Sequence, residues 1–299
     1  MTKNKKIAII SSSPLMMMLA LKLQDQGNEV LIFDMNITKG GAWSWNEKYL
    51  KKKKLFVPKY TNIINPYSKR EVKFTNKMNK FLKKNYKIKV NRTFKQFKIN
   101  YNFEKKYIYD FSNFYSYGLS ELNYVKKFVK KIEVLKNNKV KINRSIEVDK
   151  LFIPSFSGVR EIKISKNKIF YPECKEITSE HISIIAKKFK LKNFFYSQFF
   201  DKFFDRVKIE KIKKFYVLTA RLDHSIKGTK VSILRRNFLD KFVDKKDVID
   251  VKLSKFHNYY RNKKQLLALK KAISGSNIKY VDTTQFMSGF YSLRGILNV

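Results

Sequence analysis

Two short apolar runs bracket a helical pattern at the start of the chain, and they constrain its fold more than any other feature. Residues 6–10 read Lys-Ile-Ala-Ile-Ile and residues 29–33 read Glu-Val-Leu-Ile-Phe. Runs this short and this continuously apolar fit strands buried on both faces. Between them, Ser11-Ser12-Ser13 forms a turn, and Leu15 to Gln26 carries a wide apolar helical face. Ser13 suits an N-cap and Pro14 the first helical position. Gly27 suits the residue just past the helix end. A strand, helix and strand in this order predict a parallel pair, because parallel strands need a crossover connection.

Such a unit has a built-in ligand geometry. The helix N-terminus faces the crevice at the strand ends, where a pyrophosphate can sit. Asp34 stands at the carboxyl end of the second strand. It follows the Ser11 turn at about the twenty-residue spacing of an acid that accepts hydrogen bonds from a ribose.

Ser11 to Met16, then Asp34, then Gly40-Gly41-Ala42-Trp43 together resemble the FAD-dependent oxidoreductase superfamily, which includes the amine-oxidase-like flavoproteins and the UDP-galactopyranose mutases. These begin with strand, Gly-x-Gly-x-x-Gly, helix, strand, acid and a Gly-Gly loop. The resemblance puts Ser11, Ser13 and Met16 in the three glycine places and Asp34 in the ribose place. It makes Ser11, Ser13, Pro14, Leu15, Asp34, Gly40, Gly41 and Trp43 the candidate cofactor-binding residues of this end. Each departure has a physical meaning: the glycines serve a tight turn, a close approach to pyrophosphate, and close helix–strand packing. Ser11 and Ser13 each add a Cβ, and Met16 is expected to push the helix outward. Serine hydroxyls can still donate to phosphate.

Two fainter patches follow in the family's order. Tyr171-Pro172-Glu173 stands where the family has Pro-Gly-Gly before a helix, here expected over Ser179 to Phe189. A strand that touches the adenine is then expected over Phe194 to Phe200, and Lys214 to Ala220 resembles the strand that returns to the cofactor domain. At the C-terminus, Tyr280 to Thr284 resembles the closing strand, with Asp282 and Thr283 in place of Gly and acid. Ser292-Leu293-Arg294-Gly295 resembles the start of the last helix. Thr283, Ser292 and Leu293 join the candidate cofactor contacts. The expected fold is therefore α/β, α+β overall: a Rossmann-type FAD/NAD(P)-binding domain with an inserted mixed substrate domain. The implied division is discontinuous, with 1–45, 160–222 and 270–299 in the dinucleotide-binding unit and 46–159 and 223–269 in the substrate-type unit. Within the latter, Phe94 to Ile108 reads as strands or a strand–helix mixture, and Asn123 to Leu135 reads as a basic amphipathic helix, either packed with a solvated lysine face or lying on a membrane surface.

Other classes fit less well. The chain has 299 residues, 43% hydrophobic and 15% aromatic, which supports a buried core and argues against disorder. Cys174 is the single cysteine, and His181, His224 and His257 are scattered, so no metal cluster is legible. Asp223-His224 are sequence neighbours, which on a strand would face opposite sides; no catalytic residue is identified. Met16, Met17 and Met18 read as core packing. Trp43 and Trp45 either border a flavin or fill core. The N-terminal lysines and the Ile7–Leu21 stretch mimic a secretory signal, but Ser11 to Pro14 interrupt it and no small-residue cleavage site follows, so cytoplasmic is the expectation. No run reaches the roughly 20 apolar residues of a membrane-spanning helix.

The formal net charge is +42. Lys, Asn, Ile, Phe and Tyr are all abundant, as an AT-rich coding bias would produce, and the lysines run along the whole chain. Nucleic-acid binders concentrate their charge, so nucleic acid is the less favoured partner. A small-molecule substrate is expected, and the basic surface is compatible with an anionic one such as a nucleotide sugar. The leading expectation is a divergent FAD-dependent oxidoreductase or mutase-like flavoprotein. The alternatives are a non-catalytic relic that no longer binds FAD and a basic nucleic-acid-binding protein. The sequence fixes no oligomeric state.

Overall fold

The computed structural model describes residues 4–33, 69–99, 102–125, 127–154, 159–170, 174–190, 204–212, 214–222, 242–261 and 263–283, with short pieces at 45–46, 57–58, 63–64, 195–198 and 240. Asp34, Gly40, Gly41, Trp43, Asp223, His224, Ser292 and Leu293 lie outside the described residues.

β1 (Lys6–Ile10) and β2 (Glu29–Phe33) pair in parallel, Ile7 opposite Val30 and Ile9 opposite Ile32. α1 (Pro14–Asp25) connects them. It contains no β-branched residue, and its Leu, Met, Ala, Lys and Gln are all favourable helix formers. Ser13 precedes it in extended conformation and Pro14 opens it, a position where its missing N–H is not needed. Gly27, at φ +81°, ends it with its N–H on the Gln24 carbonyl at 2.9 Å. That left-handed turn favours glycine.

Three further strands join the same sheet: β3 (Tyr124–Val125), β4 (Lys150–Pro154) and β5 (Ile278–Val281). The spatial order is β5-β4-β1-β2-β3, and every neighbouring pair is parallel. Read from the other edge, this is the 3-2-1-4-5 order of a dinucleotide-binding sheet, whose direction of winding reverses between β1 and β4.

Alternation along the strands separates two hydrophobic layers. Ile7, Ile9, Val30, Ile32 and Phe152 face α1, α2 (Lys69–Tyr86) and α3 (Ser112–Glu121), packing with Met78, Leu82, Phe114 and Tyr115. Ala8, Ile10, Phe33, Leu151 and Ile153 face the opposite way, onto α4 (Lys263–Ala272) and a small five-stranded sheet. That sheet runs in the order 146–148, 140–142, 131–134, 161–164, 167–170. The middle layer is therefore covered on both faces, as a parallel sheet requires.

A third, eight-stranded sheet is mostly antiparallel. It links 248–261, 174–186, 215–222, 204–212, 195–198, 91–99, 102–110 and 63–64 in that order. Its described core gathers Ile182, Ile184, Val207, Ile209, Leu218 and Ala220 with Phe242 and Val243.

Several sequence-based expectations are corrected here. The stretch expected as a helix, Ser179 to Phe189, belongs instead to the strand Cys174–Ala186. It is hydrogen-bonded along both edges, to Phe215–Leu222 and to Val248–Arg261. Its Ile and Thr content and the two-residue alternation of Ile182, Ile184 and Ala186 suit a pleated surface. The basic helix expected over Asn123 to Leu135 is replaced by β3 and the strand Lys131–Val134. There Ile132 and Val134 pair on two sides, with Val140–Ile142 and Glu161–Ile164. The strand near Lys214 to Ala220 exists as Phe215–Leu222, and the one near Phe194 to Phe200 as Phe195–Gln198, but both lie in the eight-stranded sheet. The strand that extends the parallel sheet beside β1 is β4, whose Leu151-Phe152-Ile153 run is buried on both faces.

Candidate dinucleotide-binding crevice

The carboxyl ends of the parallel strands carry the candidate site residues that the structure describes. β1 ends at Ile10 and runs into Ser11, β2 ends at Phe33, and β5 ends at Val281 ahead of Asp282 and Thr283. In open α/β sheets the ligand crevice lies outside these ends, where the winding reverses. The sheet thus brings Ser11, Ser13, Pro14, Leu15 and Thr283 to one end of the fold.

Ser11 carries the main departure from glycine. Its φ is +90°, a region glycine occupies freely and other residues at a cost. The backbone has kept the tight turn although the side chain is not glycine. The Ser11 N–H donates to the Phe33 carbonyl at 2.8 Å, tying the turn to the end of β2. The Ser13 N–H donates to Ser11 Oγ at 3.1 Å. The Ser11 hydroxyl therefore occupies a loop amide that points into the turn.

Ser13 sits at the N-cap with φ −61° and ψ 153°, yet its hydroxyl makes no capping hydrogen bond. Its Oγ is buried and has no hydrogen-bond partner among the described residues. A buried hydroxyl left without a partner costs about 1–3 kcal/mol. Pro14 contributes no N–H, so the positive end of the helix dipole is presented by the Leu15 and Met16 amides. The amides of this tip are donors of the kind that suits a diphosphate oxygen, and in this structure they are covered, with Leu15 2% and Met16 0% exposed and the Ser13 hydroxyl buried.

Met16 lies in the core. It is 0% exposed, as are Met17 and Met18, so all three are core residues as the sequence suggests. Met17 packs against α3. A Cβ built on Gly118 would run into the terminal methyl of Met17, so the missing side chain there makes room for that methionine. The Tyr124 hydroxyl donates to the Gly118 carbonyl at 2.9 Å and fixes this approach. The residues that flank the reversal of winding in β4 escaped the sequence reading, although Leu-Phe-Ile-Pro followed by Ser repeats the apolar-run-then-turn signature of β1.

The architecture, a mixed α/β fold with a Rossmann-type parallel sheet, is similar to that of several solved oxidoreductases. A putrescine oxidase redesigned in its cofactor binding aligns over 99% of this chain and 99% of its own, with TM-score 0.63 and 7% identity. A cyclohexylamine oxidase from Brevibacterium oxydans aligns over 96% of this chain and 95% of its own, with TM-score 0.61 and 8% identity. An FAD-dependent oxidoreductase from Pseudomonas aeruginosa aligns over 100% and 91%, with TM-score 0.58 and 9% identity. At these identities the likeness is one of fold. No family model and no curated protein sequence matches the chain. Among the described residues, no helix is long and apolar enough to cross a membrane.

Proposed function

We propose that this chain is an FAD-binding oxidoreductase-type protein whose diphosphate site is the Ser11–Leu15 turn. The observation that carries the reading is the parallel sheet in 3-2-1-4-5 order with the α1 tip at the end of its first strand. The Leu15 and Met16 amides and the Ser13 hydroxyl hold the diphosphate, and Thr283 lies against the same crevice. Asp34 accepts from the ribose, while Gly40, Gly41, Trp43, Ser292 and Leu293 complete the cofactor contacts. When bound, the flavin supplies reversible redox chemistry, and the protein supplies orientation and electrostatics. Burial of the β1 and β2 ends, through Ile10 and Phe33 at 0% exposure, keeps water away from the base of the crevice.

The proposed division assigns the parallel sheet with its covering layers to cofactor binding and the eight-stranded sheet to a small-molecule substrate. A net charge of +42 favours an anionic one. The test is the absorbance spectrum of purified protein. A flavin band released on denaturation supports the reading. A second reading, a relic of this fold without cofactor, draws on the Ser11 hydroxyl, which already satisfies the Ser13 amide. A colourless protein whose melting temperature is unmoved by saturating FAD decides for the relic.

A further inference from the structure

α2 is divided cleanly by face. Thr75, Met78 and Leu82 are buried, the latter two in the cluster with α1 and α3, and Phe74, Phe81 and Tyr86 pack partly buried against it. The outward face carries Lys69, Lys73, Lys77, Lys80, Lys83 and Lys84, all exposed. Among the α2 residues whose exposure is described, Asn85 is the other exposed position. At about 100° per residue the six lysines fall within an arc of roughly 120°, and they span about 22 Å of helix axis. Lys87 and Lys89, also exposed, prolong the row past the helix end.

Lysines elsewhere are partly neutralised, as in Lys6–Glu29 at 3.3 Å and Lys163–Glu133 at 2.9 Å. Among the described residues, no carboxylate forms an ion pair with any lysine of α2. Like charges three and four residues apart weaken a helix, so tertiary packing holds α2 together against its own row of charge. Lysines stay spread along the whole chain, and α2 aligns six of them on one face.

We infer that this ridge is a docking surface for the sugar–phosphate backbone of a nucleic acid, bound without base specificity. The row is a narrow stripe that carries a charge about every 4–5 Å of axis, a linear polycation suited to a linear polyanion. A bilayer is a poorer match, because surface-bound helices insert an apolar face and the apolar face of α2 is already in the core. Lysine is a point charge without the planar fork that reads base edges. The ridge is separate from the proposed cofactor crevice. Its C-terminal end lies beside the far end of α1, where the Tyr86 hydroxyl donates to Asp25 Oδ2 at 2.7 Å.

The experiment compares two charge-matched variants of the full chain. One replaces Lys69, Lys73, Lys77, Lys80 and Lys84 by Gln. The other replaces Lys136, Lys166, Lys187, Lys246 and Lys271, exposed lysines scattered over other surfaces. Binding to a labelled mixed-sequence duplex of about twenty base pairs is followed by anisotropy across a salt series. The ridge variant is expected to bind about tenfold or more weakly near 100 mM salt, and its slope of log affinity against log salt falls by about four. The scattered variant stays within about twofold of wild type. Should the five-fold ridge variant fail to fold by circular dichroism, Lys80→Gln with Lys84→Gln carries the same comparison with a smaller slope change. Equal losses in both variants overturn the inference, since they reflect net charge alone. Binding to phosphatidylserine vesicles without binding to the duplex also overturns it.

Discussion

Ser11 holds a backbone angle of +90° that a glycine would hold without strain, and its hydroxyl accepts from the Ser13 amide at 3.1 Å. The two effects can be separated by substitution. Ser11→Ala keeps the strained turn, loses the hydrogen bond and is expected to lower stability by about 1 kcal/mol. Ser11→Gly relieves the strain as well, so its stability stays within about 1 kcal/mol of wild type. Both free the loop amide, so both are expected to tighten FAD binding by about five- to tenfold in a fluorescence titration. Unchanged affinity in both would place the diphosphate away from this turn. A second residue, at the other end of the sheet, responds to pH. Lys150 is half-buried, with its ammonium 5.2 Å from the Phe152 ring centroid. Burial first, then the neighbouring Lys279 and Lys5, hold its pKa below the usual lysine value of 10.5. The folded state gives up this proton more readily than the unfolded state, so stability at this site rises with pH up to about 10.5. Thermal unfolding of wild type against Lys150→Gln is therefore expected to move in favour of wild type as pH rises towards about 10.5. A difference that stays flat with pH would show that this charge is not desolvated on folding.

Among the elements, legibility follows locality. β1, α1 and β2 are written in contiguous residues: apolar runs for the strands, Ser13-Pro14 for the helix start and Gly27 for its end. Their bounds fall within a residue or so of the sequence reading. Cys174–Ala186 is different, because its strand state depends on partners 30 and more residues away, Phe215–Leu222 and Val248–Arg261. Nothing inside Ser-Glu-His-Ile-Ser-Ile-Ile announces those partners, and tertiary pairing decides. The same holds for Lys131–Val134, whose lysine-rich flanks imitate an amphipathic helix. The α1–α3 contact is also nonlocal, resting on Gly118 against Met17. Gly118→Ala is expected to be nearly neutral, since the obstructing atom is the flexible methyl of Met17 and alanine favours the helix by up to about 1 kcal/mol. Gly118→Leu is expected to cost about 2 kcal/mol through overpacking, measured by denaturant unfolding. If leucine were as well tolerated as alanine, the close approach of the two helices would not be limiting.

At the scale of the whole molecule, the sequence supports a parallel α/β unit with a ligand crevice and some strands of the third layer, but not the sheet that joins them. The eight-stranded sheet joins strands from residues 63 to 261, and such long-range pairing leaves little periodic trace in any single segment. The site is half legible. Ser11, Ser13, Pro14, Leu15 and Thr283 all follow carboxyl ends of the parallel strands, whereas β4, which borders the reversal of winding, lies in a stretch read as part of another unit. The charge of +42 behaves in the opposite way, since composition makes it obvious while only the burial pattern of α2 reveals that six of the lysines share one face. The central claim is that the α1 tip binds the diphosphate of a dinucleotide. Thermal unfolding in the presence of FAD, ADP and riboflavin tests it most directly, because ADP carries the diphosphate without the flavin and riboflavin the reverse. Stabilisation by FAD and, more weakly, by ADP, with none from riboflavin, is the predicted result. A melting temperature indifferent to both FAD and ADP, or raised by riboflavin alone, would contradict it.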